Sequence, residues 1–246
     1  MDQLVASPYT RLIVALDVDD ARAALELADR LRGVAGAFKI GSRLFTAEGP
    51  SLARQMVEHG DRVFLDLKFH DIPHTVAGAV ATATRLGVWM LTVHASGGVA
   101  MMRAARYAAD AAAMTSGHPT PLIVGITVLT SLDAGALEAV GVSRPLEHQV
   151  VALAREACGA GLDGVVASPL EIAPLRRALG ASLLIVTPGI RGAEAKAPGD
   201  ATKDDQTRTM GAAEALDAGA SYIVVGRPII AAADPRAAAE RMIREL

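Results

Sequence analysis

The sequence predicts an α/β chain folded as a (β/α)8 TIM barrel, and three observations lead there. Short runs rich in Val, Ile and Leu recur along the whole length, eight in all. The segments between them are long enough for helices and carry apolar residues at a 3.6-residue period. Nearly every run finishes, on its carboxyl side, in a polar or charged residue, and barrel enzymes gather their sites at that end of the strands. With 246 residues the chain suits one such domain, which usually takes about 250.

The expected strands are 11–18, 37–41, 62–69, 90–95, 121–129, 164–168, 183–190 and 222–227. Helices are expected at 21–31, 49–59, 73–86 and 147–160, among others. Eight alternations in this length favour a closed barrel over an open doubly wound sheet. No linker or shift in composition divides the chain, so residues 1–246 read as a single domain. Hydrophobic residues make up 51% of the sequence, enough for a sizeable core.

Composition also excludes function classes. The net charge is −3 and no run of Lys and Arg appears, which argues against a nucleic-acid partner. The single Cys158 rules out an intrachain disulfide framework and a multi-cysteine zinc site. Residues 1–10 lack the basic and apolar regions of a signal peptide. The Ala-rich stretch 99–114 is broken by Arg103, Arg106 and Asp110, so no membrane span is expected. A cytoplasmic location is the expectation.

Reading the strand ends in order gives Asp17, Lys39, Asp66 with Lys68, His94, Thr127 to Thr130, Ser168, Pro188 to Arg191, and Gly226 with Arg227. The densest stretch is 66–75, Asp-Leu-Lys-Phe-His-Asp-Ile-Pro-His-Thr. Strand alternation puts Asp66 and Lys68 on one face, and Leu65 and Leu67 on the other. Charges aimed inward cost desolvation energy unless they are paired. Asp71 follows the strand end, just before Pro73 opens the next helix. An isolated Asp-x-Lys would read as a structural ion pair; the polar strand ends around it favour a site for an anionic ligand.

The last strand runs into Ile223-Val-Val-Gly-Arg-Pro-Ile229. Gly226 lets a ligand approach the backbone, the N–H groups after it open a helix, and Arg227 adds a forked donor suited to phosphate. The competing reading is a tight turn with a surface Arg. The polar connection 187–206 exceeds the usual strand-to-helix loop of about 2–6 residues. It reads as a lid that would bring Arg191 and Gln206 to the ligand, or as a solvated loop.

With these residues in place the chain resembles the orotidine 5′-phosphate decarboxylase family. The likeness runs from Ala15-Leu-Asp-Val18 through Phe38-Lys-Ile-Gly41, the 66–75 stretch, Val128-Leu-Thr-Ser131 and Thr187-Pro-Gly-Ile-Arg191 to Val225-Gly-Arg227. The resemblance implies conversion of orotidine 5′-phosphate to UMP and CO2 with neither cofactor nor metal. It makes Lys68 the proton donor and Asp66 the carboxylate beside the substrate carboxylate. Lys39 would link this network to the ribose hydroxyls, which Asp17 also binds. Asp71 and Thr75 would reach into a partner subunit's site, implying a homodimer with shared sites. Thr130 would contact the pyrimidine, and Arg191, Gln206, Gly226 and Arg227 the phosphate. The chain departs from many members at His74, where they carry Asn, and in a longer 191–206 loop.

A metal-dependent relative on the same barrel, the keto-gulonate phosphate decarboxylase type, is the nearest rival. Its second strand ends in a carboxylate, whereas this one ends in Lys39. A non-catalytic nucleotide-binding barrel is the rival of a different class. Other residues draw plainer expectations. His94 reads as a hydrogen-bonded structural residue, and His70 stays unassigned. His59, His118 and His148 form no ligand pattern. Trp89, Met101 and Met102 read as core or interface, and Ser168 and Pro188 as pocket lining without a defined role.

Overall fold

The computed structural model describes residues 8–191 and 209–245. Its strands are β1 (Leu12–Ala15), β2 (Ala37–Gly41), β3 (Val63–Phe69), β4 (Met90–His94), β5 (Leu122–Ile126), β6 (Gly164–Val166) and β7 (Leu184–Thr187). A small ribbon follows, β8 (Ile190–Arg191) with β9 (Met210–Gly211), and then β10 (Tyr222–Val225). All strands but β8 and β9 close a barrel in the order β1-β2-β3-β4-β5-β6-β7-β10, with every neighbour parallel. This is the (β/α)8 architecture that the sequence predicts.

The alternation within each strand builds two apolar layers. Ile13, Phe64, Met90, Val124 and Val186 fill the barrel interior. Leu12, Val14, Leu65, Leu91 and Ile123 point outward and pack under the helices. Because both faces are covered, the strands read as continuous apolar runs rather than as an alternation of apolar and polar residues. Trp89 and Tyr222 close the amino end of the barrel, their rings edge to face at 5.2 Å. The Arg62 guanidinium lies 5.7 Å from the Trp89 ring centre. Trp89 is partly buried against the interior layer, and Met101 and Met102 are fully buried in the core.

The helices begin and end where local chemistry dictates. Ala21–Leu31 is capped by Asp20, whose side chain accepts from the Ala23 N–H at 2.8 Å. Pro50–Glu58 and Pro73–Arg85 each carry Pro in the first turn, where its missing N–H is no loss. Gly98–Ser116 ends on Gly117 in the left-handed conformation, φ 74°. Among the described residues, no helix is long and apolar enough to cross a membrane.

Two features differ from the sequence expectation, and both lie at the mouth. Several strands stop early: β1 at Ala15, β5 at Ile126, β7 at Thr187 and β10 at Val225. The residues just beyond, including Asp17, Val128, Leu129 and Pro188, leave the ladder and line the cavity instead. The second difference concerns the regular pleat expected through Asp66 and Lys68. The β3–β4 register pairs Leu65 with Leu91 and next Phe69 with Val93, so four residues of β3 oppose two of β4. Lys68 sits in this bulge at φ 53°, the one non-glycine residue with positive φ among the described residues. Such a conformation costs a side-chain-bearing residue about 1–3 kcal/mol and collects at functional positions.

Candidate active site

A cavity of about 230 Å³ opens at the carboxyl ends of the barrel strands. Its two walls differ in chemistry because they come from different strands. β1 to β3 and their extensions contribute Asp17, Lys39, Asp66 and Lys68. The far wall is apolar, with Ile126, Val128, Val166, Val186 and Pro188, and Thr130 stands beside it.

The charged wall is a chain of alternating sign. Asp17 Oδ1 lies 3.5 Å from Lys39 Nζ, Lys39 Nζ 3.7 Å from Asp66 Oδ2, and Lys68 Nζ donates to Asp66 Oδ2 at 2.8 Å. Asp66 and Lys39 are the buried links, with side chains 12% and 13% exposed, whereas Lys68 at 37% turns toward the cavity. Removing these charges from water is unfavourable unless each has partners. Asp66 meets that condition on both oxygens, since Oδ1 also accepts from the Thr92 hydroxyl at 3.0 Å. Two glycines keep the wall open. A Cβ on Gly41 would lie 3.1 Å from Lys39 Nζ, and one on Gly226 would lie 3.4 Å from Asp17 Oδ2.

Thr92 escaped the sequence reading. It is fully buried on β4, and its hydroxyl joins both charged residues of β3: it accepts from the Lys68 N–H at 2.8 Å and donates to Asp66. The available signal was a hydroxyl within Met90-Leu-Thr-Val-His94, in a strand otherwise apolar up to its end.

Other expected site residues lie elsewhere. Asp71 and Thr75 are exposed and do not line their own chain's cavity. Asp71 Oδ1 instead accepts from the Ile72 N–H at 2.6 Å, and Ile72 beside it is 66% exposed. Arg227 is exposed and opens a single helical turn, Arg227–Ile230. Pro228 has no N–H, and those of Ile229 and Ile230 bond to the Gly226 carbonyl at 2.9 and 3.0 Å. The backbone after Gly226 therefore offers fewer free N–H groups than the sequence pattern suggests. Arg191 lies in β8, opposite Gly211. Gln206 is outside the described residues.

His94 stacks on His70, with ring centres 5.1 Å apart. Burial pushes its pKa down, and His70 and Lys68 push it further, against the opposing charge of Asp66. The lowered pKa disfavours the charged imidazolium, and the side-chain contact seen is stacking on His70 rather than the hydrogen bond expected from the sequence. Pro188 lines the cavity, whereas Ser168 is fully buried and caps the turn Pro169–Glu171, its N–H bonded to Glu171 Oε2 at 2.9 Å. Among the described residues, no three His, Cys, Asp or Glu side chains are placed to share a metal.

Comparison with known proteins gives a consistent answer. A family profile described as Orotidine 5′-phosphate decarboxylase / HUMPS family matches residues 10–242. An orotidine 5′-phosphate decarboxylase of Moorella thermoacetica is 53% identical, over 96% of this chain and 92% of that protein. One from Syntrophotalea carbinolica is 50% identical, over 96% and 94%. The crystal structure of orotidine 5′-phosphate decarboxylase from Lactobacillus acidophilus superposes with a TM-score of 0.83 at 36% identity, covering 95% of this chain and 97% of that one. A barrel of this closure, with this motif at its mouth and these relatives along nearly its whole length, belongs to the orotidine 5′-phosphate decarboxylase / HUMPS family.

Proposed function

We propose that this chain, acting as one catalytic domain over residues 1–246, decarboxylates orotidine 5′-phosphate to UMP and CO2 without a cofactor. The observation that carries this reading is the Asp17–Lys39–Asp66–Lys68 chain of alternating charge, buried at Lys39 and Asp66 and facing an apolar wall. The pyrimidine ring lies on the apolar wall, where Thr130 contacts it. Asp17 and Lys39 hold the ribose hydroxyls. Arg191, Gln206, Gly226 and Arg227 hold the phosphate.

The bond from C6 to the carboxylate breaks and leaves its electron pair on C6. Lys68 stabilises that charge and delivers a proton from Nζ to C6, after which its amine regains a proton from water. A compact ammonium fits this task because it is a point charge and a proton source at once. Asp66 also stands close to the departing carboxylate. Two like charges about 4 Å apart interact by roughly 4 kcal/mol at an effective dielectric of 20. Enzymes commonly lower barriers by about 8–23 kcal/mol. Repulsion from Asp66 therefore contributes less than stabilisation of the carbanion by Lys68.

Asp71 and Thr75 serve the neighbouring subunit's site in a homodimer. Their exposure beside Ile72, outside their own cavity, supports this. The enzyme works in the cytoplasm, and its net charge of −3 suits neither nucleic acid nor an anionic membrane surface. The metal-dependent reading is weaker on one observation: the Lys39 ammonium, 3.7 Å from Asp66 and 3.5 Å from Asp17, takes the place where that chemistry needs a cation held by carboxylates.

The decisive assay follows the absorbance of orotidine 5′-phosphate with chelator present. Turnover at an undiminished rate is expected. A strict need for Mg²⁺, with no action on this substrate, would favour the keto-gulonate phosphate type. Binding of UMP without turnover would mark a non-catalytic barrel. For the phosphate site, Arg227→Ala is expected to lower kcat/KM by about 10–100-fold, the worth of a charge-assisted hydrogen bond. The same variant should scarcely change the reaction of the nucleoside lacking phosphate. Equal losses on both substrates would remove Arg227 from the phosphate grip.

A further inference from the structure

We infer that Thr92 is a positioning residue that holds the Asp66–Lys68 pair in its reactive geometry through the β3 bulge. The inference rests on the roles proposed above for Asp66 and Lys68.

The bulge removes Lys68 from the β3–β4 ladder, because pairing passes from Leu65–Leu91 directly to Phe69–Val93. A backbone N–H displaced in this way needs another acceptor. Lys68 finds it in Thr92 Oγ1 at 2.8 Å, while its φ of 53° lies where residues with side chains are disfavoured. The same hydroxyl donates to Asp66 Oδ1 at 3.0 Å, which leaves Asp66 Oδ2 to face Lys68 Nζ at 2.8 Å. One buried oxygen on β4 therefore sets the backbone of the proton donor and the orientation of its carboxylate partner. Only a group that both accepts and donates can do so, and a hydroxyl is the smallest side chain with that property. Thr92 is fully buried and is not among the residues lining the cavity, so its influence on the reaction passes through its two partners.

Two substitutions separate this role from simple packing. Thr92→Val keeps the shape and loses both hydrogen bonds; Thr92→Ser keeps the hydroxyl and loses a methyl. Thr92→Val should lower kcat by about 10–100-fold, since misplacing a reacting group by about 1 Å can cost 10²-fold. Its KM should stay within about twofold, because phosphate and ribose contacts are untouched. Thr92→Ser should keep kcat within about threefold of wild type, because the two hydrogen bonds carry the effect. A merely structural role predicts the reverse order, with Ser losing packing and Val retaining it. Wild-type kcat in Thr92→Val, or an equal loss in both variants, would overturn the inference.

Amide hydrogen exchange in the wild-type protein gives a test that does not depend on a variant folding. The Lys68 N–H should exchange slowly, and exchange at the rate of a solvent-exposed amide would likewise overturn the inference. Lys68→Ala, assayed in parallel, keeps the two readings distinct. If it remains active, the proposed role of Lys68 fails. If it is inactive while Thr92→Val equals wild type, only the role of Thr92 fails.

Discussion

Lys68→Ala should lose turnover by at least about 10⁴-fold, the combined worth of general-acid catalysis and direct stabilisation of the developing charge. UMP-like ligands should still bind. Both effects follow from where the ammonium sits. Decarboxylation at C6 leaves an anion with no adjacent carbonyl to spread its charge, so the nearby cation is the main source of stabilisation. Ligand binding draws instead on the phosphate and ribose contacts, which lie away from Lys68 in the proposed arrangement. The substitution should not collapse the charged wall either, because Asp66 keeps Lys39 at 3.7 Å and the Thr92 hydroxyl at 3.0 Å. Nor does it change the class of residue held at φ 53°, since Ala has a Cβ as Lys does. Single-turnover assays together with UMP titration check both halves. Near-normal decarboxylation would refute the assignment of Lys68 as proton donor.

Mixing two inactive proteins should restore activity, and this gives the second large effect. If Asp71 serves the partner's site, Lys68→Ala and Asp71→Ala homodimers each lack one needed group in every site. A mixed dimer concentrates both defects in one site and leaves the other complete. Random exchange of subunits makes half the dimers mixed, so about one quarter of wild-type activity should return. The position of Asp71 motivates the experiment: it is exposed, outside its own chain's cavity, and held by the Ile72 N–H at 2.6 Å. No recovery, with subunit exchange demonstrated by mass, would count against the shared site.

Some features were legible early because they are periodic or local. Barrel strands announce themselves by apolar runs at regular spacing, and Pro50, Pro73 and Asp20 mark helix starts by their own chemistry. The alternation also placed Leu65 and Leu67 on the outer layer, where both pack. Strand ends are less legible, because a β-branched residue at the mouth, such as Val128, has strand propensity whether or not a neighbour remains to pair with it. Ser168 stands at a strand end, a position that suggests pocket lining but says nothing of the direction its hydroxyl takes. Capping of Pro169–Glu171 decided that direction.

The barrel, the face on which charges accumulate, and the membership of Asp17, Lys39, Asp66 and Lys68 in one cluster are all readable along the chain. Each depends on periods of two or 3.6 residues, or on residue types at strand ends, and both are written along the chain. Tertiary structure alone decided how Asp66 and Lys68 meet. A regular pleat would have sufficed to put them on one face; the protein instead uses a bulge, a left-handed Lys68 and a hydroxyl from the next strand. A strand's periodicity reports which way its residues face but not how it registers with its neighbour. Thr92 lies 24 positions from Lys68 and 26 from Asp66, and only closure of the sheet brings its hydroxyl between them.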